Sequence, residues 1–123
     1  MSLNHVVVWL DQAEAHVIHF NRETSESEVV KTASNRHHKT GVEVSSQAAD
    51  QSPYLSEIAA AIADASGILI VGPGIEKMQF IKHLNKSHTA IAEKVVGVES
   101  VDHPSDGQLL AYARKYFIKE VLS

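Results

Sequence analysis

Cysteine is absent from the 123-residue sequence, which excludes disulfide bonds, thiolate metal ligands and a cysteine nucleophile. No apolar run is long enough to cross a membrane, since residues 6–10 form a short run that lacks a basic flank and ends at Asp11. Net positive charge is lacking too, because 11 lysines and arginines stand against 15 acidic residues and leave a net charge of -4. Proteins that coat nucleic acid by bulk electrostatics carry a net basic surface, so that class is disfavoured. We therefore expect a cytoplasmic protein with no membrane partner.

The rest of the composition is that of an ordinary globular domain. Hydrophobic residues make up 44% of the chain and charged residues 21%. A domain of this length buries roughly two-thirds of the surface that its unfolded chain exposes. We expect a single domain over residues 1–123, without repeats or linkers. Charge is uneven within it, because residues 31–40 contain two lysines, one arginine and two histidines but no acid.

The first part of the chain has the pattern of three strands. Residues 5–10 are β-branched and aromatic, and residues 15–20 alternate apolar side chains with histidines, which predicts a β-hairpin around a turn at residues 11–14. A third strand is predicted over residues 28–33. Residues 34–51 follow neither the strand nor the helix period and are rich in Ser, Asn, Gln and His. A long loop of this kind is the first place to look for a functional segment.

A helix and a buried strand are predicted next. Ser52 followed by Pro53 is typical of a helix start, because Ser caps the first turn and Pro fits it. Residues 55–62 place apolar side chains at three- and four-residue spacing on one face, and Gly67 predicts the end of the helix. The continuous apolar run of residues 68–71 predicts a strand buried on both faces.

Two further helices and a fifth strand complete the chain. The second helix is predicted over residues 75–85, and a strand follows at residues 94–101, in which Gly97 marks a bulge or a close approach. The inward-facing residues expected in the second helix are Met78, Ile81 and Leu84. Ser105 and Gln108 form a capping box at the start of the last helix. The residues expected to line that helix are Leu109, Leu110, Ala113, Tyr116, Phe117 and Val121.

The order of elements predicts the fold class. Three strands that can pair antiparallel, followed by helix–strand–helix–strand–helix, give the βββαβαβα order of a ribonuclease-H-like α/β fold. Crossovers between parallel strands are right-handed, and helices cover both faces of such sheets. We therefore expect a mixed five-stranded sheet with helices on both faces.

Three stretches of the sequence resemble a family of translation proteins. Residues 72–74 (Gly-Pro-Gly) after a strand, followed by Lys77 and Phe80, resemble a segment of archaeal and eukaryotic peptide-release factors and of Pelota. Residues 6–20 resemble the first hairpin of the middle domain of these proteins. Residues 95–108 are similar to short bacterial release-factor-like proteins known as translational machinery proteins. Together these stretches cover most of the chain.

The resemblance implies a ribosome or tRNA partner and directs attention to residues 36–47. In peptide-release factors the matching loop contains a Gly-Gly-Gln run, whose Gln enters the peptidyl-transferase centre and helps water cleave the ester of peptidyl-tRNA. Here Thr40 precedes the only glycine of the loop, Gly41, and β-branched Thr does not reach the torsions that two glycines allow. Hydrolysis of the Gly-Gly-Gln type is therefore not expected, and no catalytic residue is assigned. The residues implied to contact RNA are Arg36, His37, His38, Lys39, Thr40, Gly41 and Gln47.

The basic cluster in that loop has two interpretations. Cationic side chains next to imidazoles can meet phosphates and stack on bases, which favours contact with ribosomal RNA. A short charge cluster is also typical of a solvated surface loop. Both interpretations stay open from the sequence.

The turn at residues 72–74 is a second candidate site. Gly72, Gly74 and Lys77 can hold an anion, because backbone N–H groups at a helix start carry partial positive charge. The sequence lacks the glycine spacing of a dinucleotide-binding motif and the Gly-Lys-Ser/Thr ending of a P-loop. A structural turn is therefore the favoured interpretation.

The eight histidines predict no metal site and no other cofactor site. His37 and His38 are adjacent, and His16 and His19 face opposite sides of a strand, so neither pair has ligand spacing. His103, Ser105 and Asp106 are the residue types of a catalytic triad, but Ser105 is expected to cap a helix.

Three functional hypotheses follow. The favoured hypothesis is a release-factor-like module that binds ribosome or tRNA through residues 34–51. The first alternative is an enzyme on a ribonuclease-H-like fold, either an ester hydrolase or a metal-dependent nuclease with Asp11 as a carboxylate ligand and partners among Asp102 and Asp106. The second alternative is an interaction protein that forms a homodimer through an edge strand or the last helix.

Overall fold

Five strands form one mixed sheet in the computed structural model, which describes residues 4–31 and 52–122, with side chains for residues 4–31 and 53–118. The strands are β1 (His5–Leu10), β2 (Glu14–Phe20), β3 (Ser25–Lys31), β4 (Gly67–Gly72) and β5 (Val95–Ser100). The helices are α1 (Ser52–Ile62), α2 (Glu76–Ser87), α3 (Thr89–Ala92) and α4 (Asp106–Leu122). The sheet order is β3-β2-β1-β4-β5, in which β1 pairs antiparallel with β2 and parallel with β4. The predicted ribonuclease-H-like α/β architecture is confirmed.

Two tight turns of the same design connect the first three strands. In the first turn the Asp11 carboxylate accepts hydrogen bonds from the N–H groups of Ala13 and Glu14, at 2.8 and 2.9 Å. In the second turn the Asn21 side chain accepts from the N–H groups of the second and third residues after it, at the same two distances. Asp and Asn favour such turns because their side chains satisfy the backbone donors of the turn. The predicted hairpin at residues 5–20 is confirmed.

Both faces of the sheet are covered, and each covering layer has its own core. One core lies under α1, α2 and α3 and includes Val6, Val8, Leu10, Val17, Ile58, Ile62, Ile68, Ile70, Phe80 and Leu84. The other lies under α4 and comprises Val7, Trp9, Ile18, Phe20, Leu69, Val71, Leu109, Ala113 and Phe117. Because successive residues of a strand point to opposite faces, β1 and β4 contribute to both cores. The prediction that residues 68–71 are buried on both faces is confirmed.

Strand β3 begins earlier than predicted. It starts at Ser25, and its first five residues are exposed on the outer edge of the sheet. An edge strand can carry polar residues on both faces. The search for apolar residues in the sequence therefore identified only the second half of β3. Lys31 ends the strand opposite Glu14 of β2.

The other corrections concern α1, the segment after it, and α2. Helix α1 ends at Ile62, and Gly67 is the first residue of β4 instead of a helix stop. Met78 was expected to face inward but is 52% exposed. The buried face of α2 is formed by Lys77, Phe80 and Leu84, one helical position away from Met78.

The connections around β5 agree with the predictions. The pairing of β4 with β5 shifts register between Ile68 and Leu69, which passes over Val96 next to Gly97. A Cβ on Gly97 would collide with the Tyr116 hydroxyl, so Gly97 is a close approach beside a bulge. The capping box is confirmed, because the Gln108 N–H donates to Ser105 Oγ at 3.2 Å and the Ser105 N–H donates to Gln108 Oε1 at 3.0 Å. The inward positions Leu109, Ala113 and Phe117 of the last helix are confirmed as buried. Val121 lies beyond the described side chains.

The short helix α3 was not predicted from the sequence. It is one of four helices in residues 4–31 and 52–122. None of these helices has the combination of length and apolar character that crossing a membrane requires.

Candidate functional site

Strands β1, β4 and β5 run parallel and end at the same edge of the sheet, which we call the carboxyl edge. Asp11 follows β1 there, the turn of residues 72–74 follows β4, and residues 101–105 follow β5. In open α/β sheets ligands bind outside this edge, because the connections there diverge and leave a crevice. Polar side chains from β1, β2 and α4 meet at this place.

His16 lies between two carboxylates at the carboxyl edge. Its Nε2 is 2.9 Å from Glu14 Oε2, and its Nδ1 is 3.1 Å from Asp106 Oδ1. A carboxylate only accepts, so the imidazolium form donates to both partners and the neutral ring donates to one. Glu14 and His16 share a face of β2 because they are two residues apart, whereas Asp106 begins α4. The contact therefore joins the hairpin to the helix that covers it.

His103 makes a longer contact with a carboxylate at the same edge. Its Nε2 lies 3.7 Å from Asp11 Oδ2, and its ring lies 4.6 Å from the ring of Trp9, measured between centroids. Trp9 is 4% exposed, and its Nε1 donates to the Asp102 carbonyl at 2.6 Å. The indole therefore fixes the segment after β5 against β1.

Tyr54 anchors α1 at the same edge. Its hydroxyl donates to the Asp11 carbonyl at 2.9 Å, and its ring is buried. Burial raises the pKa of Tyr54 well above its usual value, and the carboxylates of Asp11, Glu14 and Glu76 raise it further. The hydroxyl therefore stays protonated and remains a donor.

Two adjacent cavities open at this place. The larger, of about 270 Å³, we call the aromatic cavity; it is lined by Val101, Asp102, His103, Pro104, Leu109 and Tyr112. The smaller, of about 50 Å³, is lined by Trp9, Glu14, His16, His103, Pro104, Asp106 and Leu109. His16 and His103 therefore both line the smaller cavity.

The turn of residues 72–74 has a clear structural role. A Cβ on Gly72 would collide with the carbonyl oxygen of Leu10, so only glycine lets β4 lie this close to the end of β1. The Lys77 ammonium is nearly buried and donates to the Gly74 carbonyl at 2.5 Å. The Glu76 carboxylate lies beside Gly74, where it would oppose an anion. Anion binding by Gly72, Gly74 and Lys77 stays a prediction.

The other predicted site residues separate into three groups. Arg36, His37, His38, Lys39, Thr40, Gly41 and Gln47 lie outside the described residues. Asp11 Oδ1 is engaged in its turn, and no three His, Cys, Asp or Glu side chains of residues 4–31 and 52–122 are grouped so that they could hold a metal ion. Ser105 caps α4 and Asp106 pairs with His16, so neither is arranged as in a catalytic triad.

The contacts of His16 and His103 could not be found from the sequence. The alternation of β2 predicts that His16 and His19 face opposite sides, and the structure agrees, since His16 contacts Asp106 of α4 while His19 lies opposite Val6 of the other core. Asp106, the second partner of His16, and Asp102, the partner of Trp9, are about ninety residues away in the chain. Only the packing of α4 and of the segment before it on β1 and β2 brings them together.

The fold is that of a domain of Pelota and of an archaeal release factor. The chain superposes on Archaeoglobus fulgidus Pelota with a TM-score of 0.69 and 17% identity, and on Thermoplasma acidophilum Pelota with 0.64 and 17%; each match covers 96% of this chain and 33% of the other. It superposes on the archaeal translation termination factor aRF1 with a TM-score of 0.52 and 13% identity, covering 82% of this chain and 30% of the other. No protein-family model and no curated protein sequence matches the chain. The chain thus spans about a third of the length of proteins whose fold it shares.

Proposed function

We propose that this chain is a translation-associated, release-factor-like domain of the cytoplasm that binds the ribosome or tRNA through residues 34–51. The observation that carries the proposal is the fold, which superposes over nearly the whole chain on two Pelota proteins and over most of it on a translation termination factor. The resemblance of the sequence to the middle domain of release factors, and to bacterial translational machinery proteins, supports the same assignment.

The placement of the residues that flank positions 32–51 supports a role for this segment. Strand β3 ends at the carboxyl edge with Lys31, which pairs with Glu14 of β2. Helix α1 begins near the same point, since the hydroxyl of Tyr54 in its first turn donates to the Asp11 carbonyl. Lys31 and Tyr54, which flank the segment, therefore both lie beside the β1–β2 turn.

The charge of the segment favours a nucleic-acid partner even though the whole chain is acidic. Residues 31–40 hold three cationic side chains and no acid, against a net charge of -4 for the chain. Local cationic side chains bind phosphates, and imidazoles stack on unpaired bases. We therefore propose Arg36, His37, His38 and Lys39 as the contact residues, with Thr40, Gly41 and Gln47 beyond them.

Peptidyl-tRNA hydrolysis of the Gly-Gly-Gln type is not part of the proposed function. No Gly-Gly-Gln run occurs anywhere in the sequence, and Thr40 precedes the only glycine of the segment. We expect no release of the nascent chain above the uncatalysed rate when the protein is added to ribosomes that hold peptidyl-tRNA. Nascent-chain release that Gln47→Ala abolishes would contradict this part of the proposal.

Co-sedimentation with ribosomes tests the binding itself. We expect the protein to pellet with ribosomes at moderate salt and to be released as salt rises, because phosphate contacts displace counterions. The double variant Arg36→Ala/Lys39→Ala should bind several-fold more weakly, since each phosphate contact contributes to that salt-dependent term.

A matched control separates this effect from loss of net charge. Arg22 and Lys86 are exposed on the β2–β3 turn and on α2, so Arg22→Ala/Lys86→Ala removes one arginine and one lysine elsewhere. Equal weakening by both double variants, or no association of the wild-type protein, would overturn the proposal. Self-association through an edge strand or α4 stays a separate hypothesis, which a monomeric mass in light scattering would remove.

A further inference from the structure

The aromatic cavity is not used by the proposed function, and its chemistry is distinctive. Its lining combines the aromatic Tyr112 and the apolar Val101, Pro104 and Leu109 with Asp102 and His103. Tyr112 is 37% exposed although it is aromatic, and burial together with Glu99 and Tyr116 raises its pKa, so the phenol is neutral. The cavity therefore combines an accessible aromatic face with an acid.

The size of the cavity limits what it can hold. At about 270 Å³ it lies just below the roughly 300–1,000 Å³ of pockets that bind drug-sized ligands. A nucleotide cofactor would exceed it, whereas a single long side chain or one base would fit. The occupant is therefore a small unit presented by something larger.

Charge decides between these two occupants. Asp102 lines the aromatic cavity, and Glu14 and Asp106 line the smaller cavity beside it. No lysine or arginine of residues 4–31 and 53–118 lines either cavity. Glu14 and Asp106 already contact His16, whereas the Asp102 carboxylate has no hydrogen bond or ion pair within the same residues. A base carries a phosphate with it, and these acids would repel that phosphate. A cationic side chain is attracted by the same field.

We propose that the aromatic cavity binds an arginine side chain presented by a partner protein. The guanidinium stacks on the Tyr112 ring and donates to the Asp102 carboxylate, while its methylenes lie on Pro104 and Leu109. Arginine fits better than lysine because its planar group stacks on aromatic rings and pairs with both oxygens of a carboxylate. The cavity lies on the α4 side of the carboxyl edge, so this partner is additional to the ribosome or tRNA.

Titration of the full chain with the peptide acetyl-Gly-Arg-Gly-amide tests the proposal. Trp9 is the only tryptophan and contacts His103, which lines the cavity, so its fluorescence reports occupancy. We expect the peptide to change that fluorescence in the millimolar range and to shift the amide resonances of residues 101–112. The matched peptide with citrulline, which has the shape of arginine without the charge, should bind at least about threefold more weakly, in line with the strength of an exposed ion pair.

Two variants and a control localise the binding. Asp102→Asn should weaken the arginine peptide about three- to fivefold, and Tyr112→Leu, which keeps an apolar wall but loses the ring, should weaken it about two- to fivefold. Asp64→Asn, the same change at an exposed site after α1, should leave binding unchanged. Unchanged thermal midpoints show that each variant is folded.

Three results would overturn the proposal. These are the absence of saturable binding, equal binding of the citrulline and arginine peptides, and insensitivity to Asp102→Asn. Uridine 5′-monophosphate is titrated in parallel. If the nucleotide shifts the amides of residues 101–112 and the arginine peptide does not, the cavity is a base site and the assignment to a protein partner is wrong.

Discussion

Replacing Gly72 with alanine places a methyl group against the carbonyl oxygen of Leu10, at the point where β4 ends beside β1. That oxygen belongs to the backbone of a central strand, so no side-chain rotation relieves the contact. Either β1 or β4 must shift, and both strands contribute to the cores on the two faces of the sheet. The substitution therefore disturbs the junction on which the carboxyl edge is built.

The expected loss follows from two opposing terms. Overpacking of this kind costs about 1–3 kcal/mol. Replacing glycine by alanine also restricts the unfolded chain, which stabilises the folded state relative to it by about 0.4–1 kcal/mol. Taken at the midpoints of the two ranges, the free energy of unfolding should fall by about 1.3 kcal/mol. With an unfolding entropy of about 2.1 cal/mol/K per residue over 123 residues, each kcal/mol lowers the melting temperature by about 4 °C.

Gly74→Ala is the matched control, two residues further along the same turn. A Cβ there meets only the carboxylate end of Glu76, which is flexible, and the Gly74 backbone is not in the left-handed region. We expect this variant to melt between the wild-type temperature and about 4 °C above it, because the unfolded-chain term then acts alone. Thermal unfolding followed by circular dichroism measures both variants. An unchanged melting temperature for Gly72→Ala, or an equal loss for Gly74→Ala, would refute the explanation of the turn.

Three further expectations concern stability. Phe80→Ala should lower the free energy of unfolding by about 3–5 kcal/mol because the ring is fully buried, whereas Met78→Ala should change it by less than about 0.5 kcal/mol. Equal effects of the two variants in urea unfolding would show that Met78 packs in the core. Tyr54→Phe removes the donor to the Asp11 carbonyl and should cost about 0.5–1.5 kcal/mol, and an unchanged urea midpoint would contradict this. Burial, and then the charges of His88 and Lys86, lower the pKa of His83. The unfolded chain therefore binds that proton more tightly, and the free energy of unfolding falls as pH drops below the usual histidine pKa. The loss of stability between pH 7 and pH 5 should be smaller in His83→Gln, and an equal loss would show that His83 does not contribute.

The central strands were predictable because runs of apolar residues in the local sequence indicate their burial. The run of residues 68–71 is apolar at every position, which only a strand covered on both faces requires, and the structure buries all of β4. The capping box of Ser105 and Gln108 is likewise a local signal. Strand β3 was only half predicted because an edge strand needs no apolar pattern, and its first five residues are exposed.

Side-chain direction and the carboxyl-edge contacts were less accessible. Met78 has the chemistry of a core residue and still faces solvent, because the face of α2 that meets the sheet is fixed by Phe80 and Leu84. The contact between Trp9 and Asp102 joins residues 93 positions apart, and nothing near either residue indicates it. Such contacts depend on how α4 and the segment before it pack over β1 and β2, which is a property of the whole fold.

Site-specific photo-crosslinking tests the central proposal most directly. A photoreactive amino acid replaces His38 in one variant and Lys115, which is exposed on α4, in another, and each is irradiated with ribosomes that carry tRNA. If residues 34–51 bind the ribosome or tRNA, the variant at position 38 crosslinks to RNA and the variant at position 115 does not. Absence of RNA crosslinks from position 38, or equal crosslinking from both positions, would contradict the proposed function.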